Sequence, residues 1–139
     1  MSAEDNKATL QRYIEEVFNK GNISVVDEFV NENYVVHTGL GIEIKGIEGV
    51  KEFITWMRTG FPDLHGTIEH LVAEKDIVAY RLTWRGTHKG ERFGQAPTGK
   101  KVAWTEATFI RFKDNKAIET WALGDRFGLS QQLGIIPSQ

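Results

Sequence analysis

The sequence predicts an α+β fold: three amino-terminal helices packed on a curved, mostly antiparallel sheet, together enclosing an apolar pocket. Three observations lead there. Up to Thr59, apart from a brief strand and loop in the middle, the apolar side chains recur at helical spacing. From Pro62 onward they alternate with polar ones, as half-buried strands require. No repeat, linker or low-complexity segment divides the 139 residues, a length that suits one core, so residues 1–139 are read as a single domain. Helices on one side of a sheet, with the sheet curled into a cone, close a pocket of the kind that holds small molecules.

Between Asp5 and Lys20, Leu10, Tyr13, Ile14, Val17 and Phe18 fall on one helical face, and Gly21-Asn22 supplies the stop. Ser24 opens a short second helix carrying Val25, Val26, Phe29 and Val30, and its hydroxyl serves as the cap. Tyr34 to Thr38 reads as a brief strand, followed by a loop or small hairpin bounded by Gly39-Leu40-Gly41 and Lys45-Gly46. A third helix from about Ile47 to Thr59 turns Ile47, Val50, Phe53, Ile54 and Met57 inward, and Pro62 prevents its continuation.

Strands follow over Gly66 to Ala73 and Ile77 to His88, the second with Val78, Tyr80, Leu82, Trp84 and His88 on one face. The segment Lys89 to Lys101 is a long loop. Val102 to Phe112 is a strand with Val102, Trp104, Glu106, Thr108, Ile110 and Phe112 on one face. Asp114-Asn115-Lys116 turns into a last strand, Ala117 to Phe127, where strict alternation puts Glu119, Trp121, Leu123, Asp125 and Phe127 together. The tail, Gly128 to Pro137, forms a short helical turn and then Ile135-Ile136.

Composition narrows the function. With 17 Lys and Arg against 19 Asp and Glu, the formal charge is -2, and no basic block tracks a phosphate backbone, so nucleic acid is not an expected partner. No apolar run approaches a membrane span, and the amino terminus lacks the apolar stretch of a leader, so neither a membrane nor export is expected. There is no cysteine, which removes disulfides, thiolate metal sites and a cysteine nucleophile, and the cytoplasm is the expected compartment. His37, His65, His70 and His88 are scattered without metal-ligand spacing, and neither a phosphate loop nor a Gly-x-Ser-x-Gly elbow is present. Acid-base chemistry or plain binding remains.

Asp125 stands between Leu123 and Phe127 and near Trp121, where desolvation would raise its pKa and suit it to proton transfer. Equally, it could end the strand and cap the helical turn after it. His37 could polarise a substrate or be structural, and His88 could join the site or anchor a loop at a strand end. Glu106 could be a second carboxyl group of the site or the partner of Arg81 or Arg85. Tyr80, Trp84, His88, Trp104, Thr108 and Trp121 are the expected substrate-binding residues, with the tryptophans as pocket wall.

Tyr34-Val35-Val36-His37-Thr38, Gly46-Ile47-Glu48-Gly49-Val50, Phe61-Pro62-Asp63-Leu64, Gly86-Thr87-His88-Lys89-Gly90-Glu91, Pro97-Thr98-Gly99-Lys100, and Trp121 with Asp125 before Gly128-Leu129-Ser130-Gln131-Gln132-Leu133-Gly134 follow one another along the chain. In that order they resemble the SnoaL-like polyketide cyclase family. The resemblance implies the nuclear transport factor 2-like cone and ring closure by intramolecular aldol condensation, without metal or organic cofactor. The family's acid-base aspartate on the last strand matches Asp125. Its histidine on the penultimate strand has no counterpart here, where Glu106 and Thr108 stand instead.

The expected activity is thus cyclase-, lyase- or isomerase-like acid/base catalysis on a small hydrophobic carbonyl compound, with Asp125, His37 and Glu106 as catalytic residues. The alternative is a noncatalytic small-molecule binding protein. The strand face carrying Ala103, Thr105, Ala107, Phe109 and Arg111, like that carrying Ile77, Ala79, Arg81, Thr83 and Arg85, is too apolar at its middle for water. A homodimer through the sheet, with Phe109 near its centre, is expected.

Overall fold

The computed structural model describes residues 2–39, 41–92 and 94–136; Leu40 of the break after the first strand and Pro137 of the tail lie outside them. Helix α1 (Ala3–Tyr13) begins before Asp5 because Ser2 and Asp5 cap it reciprocally, each side chain accepting from the other's backbone N–H at 3.1 Å. It runs into a π-helical segment, Ile14–Asn19, which widens the coil where Val17 and Phe18 turn into the core. Asn19 then pairs with the backbone of Gly66 in both directions, at 2.7 and 3.1 Å, and ties this end to the sheet. A 3-10 turn, Ile23–Val25, leads to the short α2 (Val26–Phe29), and α3 (Gly46–Gly60) stops at Phe61 as Pro62 dictates.

Six strands make one sheet: β1 (Val30–His37), β2 (Glu43–Lys45), β3 (His65–Glu74), β4 (Ile77–Thr87), β5 (Lys101–Lys113) and β6 (Lys116–Gly124), ordered β2-β1-β6-β5-β4-β3. All neighbours are antiparallel except β1 and β6. The predicted α+β architecture is therefore present, with β1 longer than Tyr34 to Thr38 and joined to β2 as a small hairpin. Asp114 and Asn115 turn β5 into β6 with φ of 51° and 62°, the left-handed pair a tight two-residue hairpin needs.

The even-numbered faces of β4 and β5 pack under α1 and α3. Leu82, Ile110 and Leu10 are at most 1% exposed there. Trp84 and Trp104 are cross-strand partners, and Trp84 also meets Phe18 at 5.2 Å between ring centroids. Gly66 leaves room for this indole, since a Cβ on it would come within 2.6 Å of the Trp84 ring.

The register shifts at three places, between Val30 and Val35 where β1 meets β6 and at two single-residue bulges. One is at Glu69 of β3, between the pairs Ile68 with Leu82 and His70 with Arg81. The other is at Ile118 of β6, where Phe112 faces Ala117 but Arg111 already faces Glu119. The second decides which side of β6 looks inward. One extra residue reverses the alternation, so Thr120, Ala122 and Gly124 turn to the concave side while Glu119, Trp121 and Leu123 turn out. Strict alternation across Ala117 to Phe127 predicted the opposite, and that expectation is corrected here. The strand also ends at Gly124, and Arg126–Leu133 forms helix α4.

Candidate functional site

Between the concave side of the sheet and helices α1, α3 and α4 lies a cavity of about 290 Å³. Its walls are aromatic and aliphatic. Trp84 and Trp104 come from the sheet, Phe18 from the π-helical segment, Trp56 and Met57 from α3, and Leu129 from α4. The exposed members of the lining, among them Ile42, Trp56 and Arg126, mark its open end.

Glu106 is the carboxyl group inside. On β5 it faces Gly124 across the β6 ladder, a position that leaves its side chain space to reach the cavity. Trp84 Nε1 donates to Oε1 at 3.3 Å and Thr108 Oγ1 to Oε2 at 2.7 Å. Burial pushes its pKa up, while those two donors and the Arg126 guanidinium pull the other way.

Three tyrosines surround it. Tyr13, Tyr34 and Tyr80 all line the cavity, and burial drives their hydroxyls to pKa values well above the usual, a shift the Glu106 charge reinforces. They are neutral donors. Tyr34 is hydrogen-bonded to Thr120, while Thr108 and Trp84 are held by Glu106.

The predicted site residues divide. Glu106, Tyr80, Trp84, Trp104 and Thr108 line the cavity; Asp125, His37, His88 and Trp121 do not. Asp125 is exposed and caps α4, its Oδ1 accepting from the Gly128 N–H at 2.9 Å, so the greasy surroundings expected for it are corrected. His88 is fully buried but serves the long loop: its Nδ1 accepts from the Thr98 N–H at 3.1 Å, and its backbone pairs with Gly99 and Lys100. Trp121 faces outward, 37% exposed, because of the Ile118 bulge.

His37 lies beside Trp121 on that outer side, stacked at 5.7 Å. Its Nδ1 is 2.8 Å from Glu43 and its Nε2 2.8 Å from Glu119, so both ring nitrogens donate and the imidazolium is favoured. Arg111 shares Glu119 at 3.6 Å. The hydrogen bond to Glu119 leads in raising the His37 pKa. The folded protein therefore holds this proton to higher pH than the unfolded chain does. The contribution to stability is complete below the ordinary imidazole value of 6.5 and disappears as pH rises through the raised one. Thermal midpoints followed across that interval should fall in the wild type more steeply than in His37→Gln; parallel curves would refute the clamp.

Comparison with known proteins places the chain. Residues 8–133 match the model of the SnoaL-like polyketide cyclases. The chain belongs to the SnoaL-like polyketide cyclase family. Among curated relatives, aklanonic acid methyl ester cyclase AcmA of Streptomyces galilaeus is 28% identical over 131 residues, covering 91% of this chain and 89% of that protein. AclR from the same organism, provisionally assigned as a hydroxylase, superposes with a TM-score of 0.89 at 28% identity, covering 99% of this chain and 86% of its own. A protein of Acidithiobacillus ferrooxidans, provisionally assigned as a polyketide cyclase, gives 0.85 at 32% identity, covering 97% and 99%. The nuclear transport factor 2-like cone is thus the fold of this SnoaL-like chain, and small-molecule binding is the family's common ground.

Among the cavity residues that were not singled out from the sequence are Tyr13, Tyr34, Arg92 and Arg126. The tyrosines carried the same apolar periodicity as core residues, so nothing set them apart. Arg126 was assigned to the face opposite Asp125 by carrying the last strand on to Phe127, whereas the strand ends at Gly124 and Arg126 begins α4. Arg92 comes from the loop after β4, where spacing says nothing about direction.

Among the described residues, no three His, Cys, Asp or Glu side chains converge as a metal site requires. Nor is any described helix long and apolar enough to cross a membrane.

Proposed function

We propose that this SnoaL-like protein is a cyclase-type enzyme that uses Glu106 as its general acid/base on a small hydrophobic carbonyl compound. One observation carries the reading: an ionisable carboxyl group with raised pKa faces three neutral phenol donors inside an apolar cavity. The carboxylate takes a proton from carbon next to a carbonyl, and tyrosine hydroxyls stabilise the resulting enolate oxygen. The enolate carbon bonds to a second carbonyl of the same molecule, and the alkoxide so formed recovers the proton from Glu106. No group is consumed. The relative that closes a ring of aklanonic acid methyl ester supports the reaction class. In this reading Asp125, the residue matched by resemblance, acts as a helix cap, and the absence of cysteine suits the cytoplasm. The test is turnover by Glu106→Gln beside Asp125→Asn on polyketide-ester, steroid-enone and epoxide panels.

The same reading includes a homodimer. On the outer side of the sheet Phe109 faces Trp121 and Ala107 faces Leu123, and Phe109 and Leu123 are 54% and 68% exposed. This makes a contiguous apolar patch, larger than the β5 residues alone suggested, with Arg111 and Glu119 of opposite charge at its edge. A second copy turned through a twofold axis meets the patch with itself and each charge with its complement. Phe109→Asp should then halve the mass seen by sedimentation at micromolar concentration. An unchanged mass, or a monomeric wild type, would remove the dimer.

A further inference from the structure

Resting on the proposal that Glu106 is the acid/base group of this cavity, we infer that Gly124 is the residue that sets substrate specificity beside it. The space over Gly124 receives a substituent on the carbon that Glu106 deprotonates. The substrate then enolises at a chain or branched carbon, and not at a terminal methyl group.

Glycine within a strand costs backbone entropy and packs nothing, so it ordinarily marks a special conformation or a close approach. Gly124 has neither reason. Its φ lies outside the left-handed region, unlike that of Gly39, Gly41 or Gly134. A Cβ at this position would meet no atom within 4 Å, whereas at Gly66 and Gly86 it would press on Trp84 and Phe61 at 2.6 and 2.8 Å. Among the described residues it is the one glycine free of both constraints.

The backbone there is fixed all the same. Gly124 closes β6 opposite Glu106, and the next N–H, that of Asp125, donates to the Thr105 carbonyl at 2.9 Å. Residues opposite each other on antiparallel strands hold their Cβ positions about 5 Å apart. A side chain at position 124 would therefore stand alongside Glu106, in the cavity that both residues line. Trp84 and Thr108 hold the carboxyl oxygens of Glu106, so that side chain does not swing across to fill the gap. A substrate carbon that offers its C–H bond to Glu106 carries its other substituents to either side. Gly124 is the side without an obstacle.

Naphthalenes bearing an acetyl, propionyl or isobutyryl group test this, the carbon next to the carbonyl gaining one methyl group at each step. An apolar cavity of about 150 Å³ takes one benzene, so one of about 290 Å³ suits two fused rings. Binding is read by quenching of the cavity tryptophans. Wild type should bind each larger ketone about fourfold more tightly than the last, the gain from burying one more methyl group. Gly124→Val should reverse the series: the isobutyryl ketone falls roughly tenfold or more below its wild-type affinity, while the acetyl ketone stays within about threefold. Gly124→Ala should fall between. The thermal midpoint should not drop, because the space is open and valine suits a strand better than glycine; if it does, the alanine variant carries the comparison. A wild type that binds the isobutyryl ketone more weakly than the acetyl one overturns the specificity role alone. So does a Gly124→Val variant that weakens all three equally or leaves the series unchanged. Failure of all three ketones to bind wild type overturns it together with the cavity reading. Loss of the acid/base reading would show separately, as full turnover by Glu106→Gln, because the ketone series reads binding.

Discussion

Replacing Glu106 by Gln should lower turnover by roughly 100- to 10,000-fold, the range a positioned acid/base group supplies. Glutamine has the same shape. Its carbonyl can accept from Trp84 Nε1, and its amide can donate to Thr108 Oγ1, so both contacts of the native carboxyl survive in altered form. The loss would then be chemical, with little change in the unfolding midpoint. Asp125→Asn is the matched control, because asparagine caps a helix about as well as aspartate. It should keep most of the activity. If instead Asp125→Asn inactivates the enzyme and Glu106→Gln does not, the acid/base assignment moves to Asp125. If ligands bind but neither the wild type nor the variants turn any of them over, the protein is a binding member of its family. In an active enzyme, the limb of the pH profile that reports Glu106 as base should lie above the ordinary carboxyl range, rising with pH, in keeping with the upward shift that burial causes.

Trp84→Ala should cost about 3–5 kcal/mol, the usual range for truncating a buried aromatic side chain. The indole is 2% exposed, packs on Phe18 and fills the space that Gly66 leaves. Its removal also takes one of the two hydrogen bonds from Glu106. For a domain whose whole stability is of order 5–15 kcal/mol, this is a large share, and chemical denaturation should register it as a shifted midpoint. Trp84→Phe separates the two roles. It keeps most of the packing but removes the N–H, so the Glu106 pKa should rise further and carry the pH profile upward with it. A loss under about 1 kcal/mol in Trp84→Ala would mean that this wall collapses freely, contrary to close packing.

Periodicity sufficed for most of the architecture. The helical face of Leu10, Tyr13, Val17 and Phe18 and the alternating faces of β4 and β5 are one-dimensional patterns, and each burial follows directly from its spacing. Glu106, Thr108, Trp84 and Trp104 could be grouped for that reason: β4 and β5 run opposite each other without a break in register.

The site's other half was decided in three dimensions. A single unpaired residue, Ile118, inverts the alternation of β6, replacing Trp121 with Thr120 and Ala122 on the concave side. A bulge depends on how two strands fit while a sheet curves, and strand-by-strand pattern does not encode it. His37 was legible as a strand-edge histidine, but its partners Glu43 and Glu119 come from β2 and β6. The direction of Arg92 depends on the docking of Gly90 against Thr59 and Gly60, contacts between segments far apart in the chain. By itself the sequence determined the α+β fold and the apolar faces of β4 and β5 that turn inward, because local spacing dictates burial. Only the tertiary structure decided which charges meet there, because that depends on register, bulges and loop docking.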